Sequence, residues 1–114
     1  MLSELKIFQK TYDFLLWTKP VVQKLAKVHK YSLGIQLENE VIELLKQIVR
    51  ANFKRNKKEA IEECFVHYEI IKILIRIGKD FRGSGGISLK QYEFATKQLN
   101  EIGKLLRGWY KRFS

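Results

Sequence analysis

The chain has 114 residues, a length that suits one domain built on a single hydrophobic core. Its one cysteine, Cys64, cannot close an intramolecular disulfide, so we expect a protein of the reducing cytoplasm. No apolar run approaches the roughly 20 residues that span a bilayer, and the first residues lack the pattern of a signal peptide. These features predict one cytoplasmic domain over residues 1–114 and argue against disulfide-stapled and membrane-spanning folds.

Basic side chains dominate the charge, with 22 Lys and Arg against 12 Asp and Glu and a formal net charge of +10. Self-repulsion of this size destabilises a compact chain, so such a charge commonly serves a polyanionic partner. Nucleic acid is the more frequent partner of a basic domain, ahead of an anionic membrane. Composition therefore favours binding over catalysis.

Helical periodicity runs through the whole sequence, which has a single proline and no alternating strand pattern. The first helix is predicted to begin after Ser3, its N-cap, and to continue, kinked at Pro20, to about Val28. Its buried face is predicted at Leu5, Phe8, Tyr12, Leu15 and Val22.

The second and third helices have apolar residues spaced by three and four positions. Ser32 is predicted to cap the second helix, which ends in the polar residues 54–58 and buries Leu37, Val41, Leu44 and Ile48. The third is predicted to begin near Lys58, to end before Gly83 and to bury Ile61, Cys64, Tyr68, Ile71 and Ile75. Residues 83–86 are predicted to form a flexible linker.

The fourth helix has the most regular pattern, opened by a capping box of Ser88 and Gln91. Its buried face is predicted at Tyr92, Ala95, Leu99, Ile102, Leu106, Trp109 and Phe113. Gly103 and Gly108 each cost a helix about 1 kcal/mol relative to Ala, which indicates close approach by another helix or, better for Gly108, tolerance near the chain end. The fold class predicted is all-α, an antiparallel up-down four-helix bundle.

Apolar residues exceed what one core requires. Ile70, Ile73, Leu74 and Ile77 lie beside the buried face of the third helix, and Leu15, Leu16 and Trp17 are consecutive in the first. A broad stripe facing the core is one interpretation. The other, which we favour, is a homo-oligomeric interface with the candidate residues Leu16, Trp17, Ile73 and Ile77.

Patterns typical of catalysis or metal binding are weak. Cys64 and His67 supply only two metal ligands, one helical turn apart. A di-iron bundle needs Glu three residues before each of two histidines, and here Cys64 and Ala26 occupy those positions. The glycines at 83–86 are not followed by the Gly-Lys-Ser/Thr of a phosphate-binding loop. We predict no enzyme activity, no metal and no cofactor.

The basic residues form more regular patterns than the candidate catalytic and metal-binding residues. Lysines recur every seven residues on the outermost face of the fourth helix, in steps of roughly 10 Å, at Lys90, Lys97, Lys104 and Lys111. A second set, spaced by four residues on the second helix, is Lys46, Arg50 and Lys54, and Lys57 and Lys58 are predicted to extend it. A third lies beside the buried face of the third helix at Lys72, Arg76 and Lys79.

Solubility alone explains exposed lysines, and the alternative is contact with phosphates. Phosphate contact needs only position and charge, so such binding would tolerate any sequence and weaken with salt. A membrane-surface role fits less well. A helix that binds a membrane surface needs a free apolar face beside its cations, whereas the apolar face opposite the most regular lysine line is predicted to be buried in the core. We therefore predict nucleic acid, and no membrane, as the partner.

Several segments resemble a known family. The C-terminal pattern consists of Ser88, Leu89, Tyr92, Glu93 and Ala95, followed by Leu99, Glu101 to Leu106, Gly108 and Trp109. It resembles the last helix of the accessory variability determinant (Avd) proteins of diversity-generating retroelements, which are relatives of the four-helix proteins encoded in intervening sequences of 23S rRNA genes. Upstream similarity includes Ser32 to Gly34 with Glu38 and Asn39, and Tyr68, Glu69 and Leu74 to Asp80.

The resemblance implies a basic four-helix subunit that assembles into a homopentameric ring. It also implies a non-catalytic accessory protein that binds the reverse transcriptase of the retroelement and, with little sequence preference, RNA and DNA. The related branch encoded in rRNA genes leaves a second possibility open, a structural or interaction protein.

Overall fold

Four long amphipathic helices make up most of residues 5–113, the part of the chain that the computed structural model describes. They are α1 (Lys6–Gln23), α2 (Ile35–Phe53), α3 (Lys57–Asp80) and α4 (Leu89–Lys111). Each helix packs against two of the others, so that α1 lies between α2 and α4, and α3 lies between the same two. Neighbouring helices run antiparallel and enclose one core, which confirms the predicted up-down four-helix bundle.

The buried face of α1 differs from the predicted one. It consists of Ile7, Thr11, Phe14, Thr18, Val21 and Val22. Leu5, Phe8 and Leu15 are only partly buried and Tyr12 is exposed, so of the predicted positions only Val22 is fully buried. Thr18 stays in the core because its hydroxyl donates to the Phe14 carbonyl oxygen at 2.8 Å. Two core threonines hide the true spacing of three and four residues, which is why apolarity alone predicts the wrong face.

The boundary between the first two helices also differs from prediction. α1 continues through Pro20 but ends at Gln23, and a short helical turn (Lys27–His29) and a π-helical turn (Lys30–Gly34) lead directly into α2. Ser32 therefore lies inside a helical segment, where its hydroxyl donates to the Val28 carbonyl oxygen at 2.9 Å, and it is not an N-cap. The predicted Ser3 cap lies outside the described residues.

The predicted buried faces of α2 and α3 are confirmed. Leu37, Val41, Leu44 and Ile48 are all 1% exposed or less. Ile61, Cys64, Tyr68, Ile71 and Ile75 are buried as well, and the Tyr68 hydroxyl donates to the Leu99 carbonyl oxygen of α4 at 2.8 Å. α3 begins at Lys57, where the side chain of the N-cap residue Asn56 accepts a hydrogen bond from the backbone of Glu59.

α4 begins with the predicted capping box, in which Ser88 and Gln91 each satisfy a backbone N–H of the other. Its buried face is confirmed from Ala95 to Trp109, whereas Tyr92 is half-buried. The prediction for Phe113 is wrong, because this residue follows the last residue of α4 and is exposed.

Residues 83–86 form a hydrogen-bonded turn, contrary to the predicted flexible linker. The 3-10 turn Arg82–Ser84 leads to Gly85 at φ 90°, a left-handed conformation that favours glycine. The Gly85 carbonyl oxygen accepts from the Ala26 N–H at 2.9 Å, and the Ile87 N–H donates to the Gly78 carbonyl oxygen at 2.9 Å. Ile87 is fully buried, so the turn is tied both to the core and to the segment after α1.

Candidate nucleic-acid interface

The lysine line on α4, named here the α4 stripe, consists of Lys90, Lys97, Lys104 and Lys111. All four side chains are exposed, as their repeat of seven residues predicts. Within residues 5–113, no carboxylate lies within ion-pair distance of Lys90, Lys97 or Lys104. The charges of Lys97 and Lys104 help to lower the pKa of the Glu101 carboxyl, but neither ammonium group forms a contact ion pair with it. All three ammonium groups can therefore contact an anionic ligand.

Packing of α1 against α4 adds cations that the sequence pattern does not reveal. Lys6 and Lys10 of α1 border a shallow groove together with Lys104, and Arg112 joins Lys6 and Lys104 around a second groove. Lys6 and Lys10 are one turn apart in α1, so their shared face is visible in the sequence, but their position beside the α4 stripe is not.

Glu101 is the one acidic residue among those that line these two grooves. Glu101 forms an ion pair with Lys10, and the hydrogen bond and charge of Lys10 lower the pKa of this carboxyl. Glu101 therefore carries its negative charge at neutral pH and neutralises Lys10.

The second predicted set of cations lies on the opposite side of the bundle. Lys46 pairs with Glu43 at 3.1 Å, and this contact lowers the pKa of the Glu43 carboxyl. Arg50 and Lys54 are exposed. The neighbouring Lys57 does not extend this set, because its ammonium donates to the carbonyl oxygens of Ala51, Asn52 and Lys54 at the end of α2.

The third predicted set borders a groove of about 270 Å³ between α3 and α4, whose rim includes Lys72 and Arg76. Lys72 pairs with Glu69 at 3.4 Å and lies over the Tyr68 ring at 5.3 Å. Lys79 pairs with Asp80 at 3.5 Å and lies over the Tyr92 ring at 4.7 Å. Lys72 and Lys79 thus have intramolecular partners. This third set of cations remains separate from the α4 stripe and from the set on α2.

The four predicted interface residues fall into two groups. Leu16, Ile73 and Ile77 are exposed, whereas the half-buried Trp17 ring packs 5.5 Å from Phe14 and 5.2 Å from Phe94. Leu16 lies on α1 and the two isoleucines on α3, which are diagonal in the bundle. The chain therefore presents apolar residues on two separate faces.

Cys64 and His67, the residues considered as metal ligands or nucleophiles, both lie in contacts between helices of the bundle. Cys64 is fully buried, and this burial raises its pKa to about 12, so the thiol is protonated at neutral pH. His67 Nδ1 lies 2.8 Å from the Glu40 carboxylate across the α2–α3 contact. Within residues 5–113 there is no group of three or more His, Cys, Asp or Glu arranged to hold a metal ion. In the same range, none of the helices has the length and apolarity to cross a bilayer.

The fold and the surface together define a basic four-helix bundle protein whose most prominent unpaired cations follow one helix. In a comparison with family models, residues 5–113 match the model of the bAvd-like family. The chain therefore belongs to the bAvd-like family, as the C-terminal motif indicates. Neither the curated proteins nor the solved structures gave a match.

Proposed function

We propose that this chain is a non-catalytic accessory protein of a diversity-generating retroelement. In this proposal it binds RNA and DNA without strong sequence preference through the surface formed by α1 and α4, and it associates with the reverse transcriptase. Membership of the bAvd-like family supports the accessory role. The observation that carries the binding role is the α4 stripe, because within residues 5–113 no carboxylate lies within ion-pair distance of Lys90, Lys97 or Lys104.

The chemistry of this surface favours phosphates over base edges. Ammonium groups act as point charges and carry no sequence information, whereas bidentate side chains such as Arg, Asn and Gln read bases. Lys6 and Lys104 line both grooves on this surface, so lysine dominates its charge. We expect affinities for unrelated duplexes of equal length to differ by less than about a hundredfold, below the roughly thousandfold at which sequence-specific binding begins.

Two variants that remove the same number of positive charges test the assignment. The first carries Lys90→Gln, Lys97→Gln and Lys104→Gln, and the matched control carries Lys46→Gln, Arg50→Gln and Lys54→Gln. Each phosphate contact contributes about 0.7 to 0.9 to the slope of log affinity against log salt. We expect the first variant to lower that slope by about 2 and the control to lower it by less than about 1.

A fluorescence anisotropy salt series on a labelled duplex measures both slopes, with the molar mass of each variant checked by light scattering. Equal reductions would remove the assignment to α4, and a reduction in the control alone would move the binding surface to α2. Unchanged slopes in both variants would remove both surfaces and favour the cations of α3, Lys72, Arg76 and Lys79. A wild-type protein that does not bind the duplex would contradict the nucleic-acid role and favour an interaction protein of the rRNA intervening-sequence type.

Association with the reverse transcriptase is the second part of the proposal. Co-expression of the chain with the polymerase of the same retroelement, followed by affinity purification and sizing, tests it. A complex that survives nuclease treatment supports a direct contact. Complete loss of the polymerase after nuclease treatment would mean that only nucleic acid joins the two proteins.

For assembly, we propose a homopentameric ring. In a closed ring each subunit uses two different faces, and exposed apolar residues occur here on α1 at Leu16 and on α3 at Ile73 and Ile77. Ile73→Asp is expected to reduce the mass measured by light scattering from about five subunits to one, with helicity retained because Ile73 is 56% exposed. A wild-type protein that is monomeric at micromolar concentration would refute the ring.

A further inference from the structure

The end of the bundle where α1 leads into α2 and α3 leads into α4 has an unusual surface, named here the basic aromatic cap. It consists of residues 24–31 and 81–85. The two segments are joined by the hydrogen bond from the Ala26 N–H to the Gly85 carbonyl oxygen at 2.9 Å. His29 Nε2 also lies 2.9 Å from the Ser84 hydroxyl. The cap is therefore one continuous surface built from two distant parts of the sequence.

The cap concentrates positive charge. It contains Lys24, Lys27, Lys30 and Arg82, and it contains no Asp or Glu. Within the described part of the chain none of these four cations forms an ion pair. The adjacent carboxylate, Asp80, has Lys79 at 3.5 Å. Glu38 of α2 lines a groove together with Lys30 and Tyr31, but its carboxylate pairs with Lys19 at 3.4 Å. An anionic ligand would therefore meet four cations here and two neighbouring carboxylates that each have a lysine partner.

Aromatic rings lie among these cations. Tyr31 is 63% exposed and Phe81 is 49% exposed. The His29 and Phe81 ring centroids are 5.1 Å apart, and Lys30 Nζ lies 5.7 Å from the centre of the Tyr31 ring. Burial would stabilise rings of this size by about 1.5–3 kcal/mol each, so their exposure beside unpaired cations points to a ligand with both flat apolar faces and negative charge.

We propose that the basic aromatic cap binds unpaired nucleotides of single-stranded RNA or DNA. Bases stack on the Phe81 and Tyr31 rings, while Lys27, Lys30 and Arg82 contact the phosphates. A duplex cannot use the rings in this way because its bases are already stacked inside the helix. This inference rests on the proposed nucleic-acid role, but it assigns a different ligand form to a different surface from the α4 stripe.

The test compares two cap variants, Phe81→Leu and Tyr31→Leu, with the matched control Phe53→Leu. Phe53 is 78% exposed at the opposite end of the bundle, where the neighbouring groove is lined by Glu59 and Glu63 as well as Lys54. Leucine keeps apolar bulk and removes the stacking face. Anisotropy titrations use a labelled single-stranded oligonucleotide of mixed sequence and the corresponding duplex, at one salt concentration.

Each cap variant is expected to lose about 5- to 100-fold in affinity for the single strand, since stacking on one ring contributes at that level. Its affinity for the duplex should change less than about twofold, and Phe53→Leu should change neither affinity. Unchanged single-strand affinity in both cap variants would overturn the inference and leave the duplex role intact.

Equal losses for single strand and duplex would also overturn it, because stacking acts on unpaired bases only. The same variants are tested with phosphatidylserine vesicles. A loss of vesicle binding without a loss of single-strand binding would assign the cap to a membrane surface instead. A wild-type protein that binds neither nucleic acid would refute both this inference and the proposed function.

Discussion

The two halves of the bundle have opposite charge balances although they share one core. α1 and α4 together contain eight cationic and three acidic side chains, whereas α2 and α3 contain seven and eight. The net charges of these pairs of helices are therefore +5 and −1. Ion pairs are more numerous in the second half, because α2 and α3 contain the Lys46–Glu43, Lys72–Glu69 and Lys79–Asp80 pairs. Within residues 5–113, α1 and α4 share the Lys10–Glu101 pair, and Lys19–Glu38 joins the two halves.

This difference shows that the net charge of a chain does not reveal on which side of the fold its positive charge is concentrated. Exposed ion pairs contribute only about 0–1 kcal/mol to stability, so the pairs on α2 and α3 matter mainly because they cancel the local potential. On the α1–α4 side, within residues 5–113, Lys90, Lys97 and Lys104 of the α4 stripe form no ion pair, although the charges of Lys97 and Lys104 help to lower the pKa of Glu101. Position and pairing together, and not the count of lysines, distinguish the two sides.

The largest expected effect concerns the contact that joins the two halves. A Cβ added at Gly103 of α4 would overlap the hydroxyl of Tyr68 and lie 2.9 Å from its Cζ. Tyr68 is buried and donates to Leu99, so it has little room to move. Gly103→Ala is expected to destabilise the protein by about 1–2 kcal/mol, even though Ala favours helix over Gly by about 1 kcal/mol. Urea unfolding followed by circular dichroism measures the change.

Gly108→Ala is the matched control, because a Cβ at Gly108 meets nothing within 4 Å. This substitution should stabilise the protein by up to about 1 kcal/mol. Adding Tyr68→Phe to Gly103→Ala should recover part of the loss, since it removes the overlapping oxygen. If both alanine variants were equally stable, close packing of α4 against α3 at Gly103 would be refuted.

A smaller effect is expected from the core of α1. The Thr11 hydroxyl is buried and has no hydrogen-bond partner within residues 5–113. Thr11→Val keeps the shape and removes the unsatisfied group, so the free energy of unfolding should rise by about 1 kcal/mol. Thr18→Val serves as the control, since it removes the hydroxyl that bonds to Phe14 and should not stabilise. A loss of stability in Thr11→Val would show that this hydroxyl is satisfied in solution.

The smallest expected effect comes from increasing the difference in charge between the two halves of the bundle. Glu101→Gln removes the acidic residue that neutralises Lys10 on the basic side. Because Lys10 lowers the pKa of Glu101, the carboxylate is fully charged at neutral pH and its loss counts as a whole charge. We expect affinity for a duplex to rise about threefold through one additional phosphate contact.

Glu43→Gln removes the equivalent acid from the other half, where Lys46 is its partner. It changes the net charge by the same amount and should change duplex affinity by less than about 1.5-fold if binding is confined to α1 and α4. Anisotropy titrations at low salt compare the two variants. Equal gains would mean that only total charge matters and that the basic side has no special role.

Sequence periodicity predicted the parts of the fold in which apolar residues alone occupy the core. α2 and α3 satisfy this condition, and every buried position predicted there is buried. α1 does not, because Thr11 and Thr18 occupy core positions while Tyr12 and Leu16 are exposed. The Ser32 cap failed for a related reason, since a serine inside a helix can bond back to the preceding turn at Val28.

The sequence by itself determined the four helices, the total charge and the lysine repeat of α4, because each depends on residues within a few turns of one another. Tertiary structure alone decided that Lys6 and Lys10 border the α4 stripe, that Trp17 packs against Phe94, and that residues 24–31 meet residues 81–85 in one cap. These groups are far apart in the chain. Coulombic attraction and burial depend on how far apart groups lie in space, and the spacing of residues along one helix does not give the distances between helices.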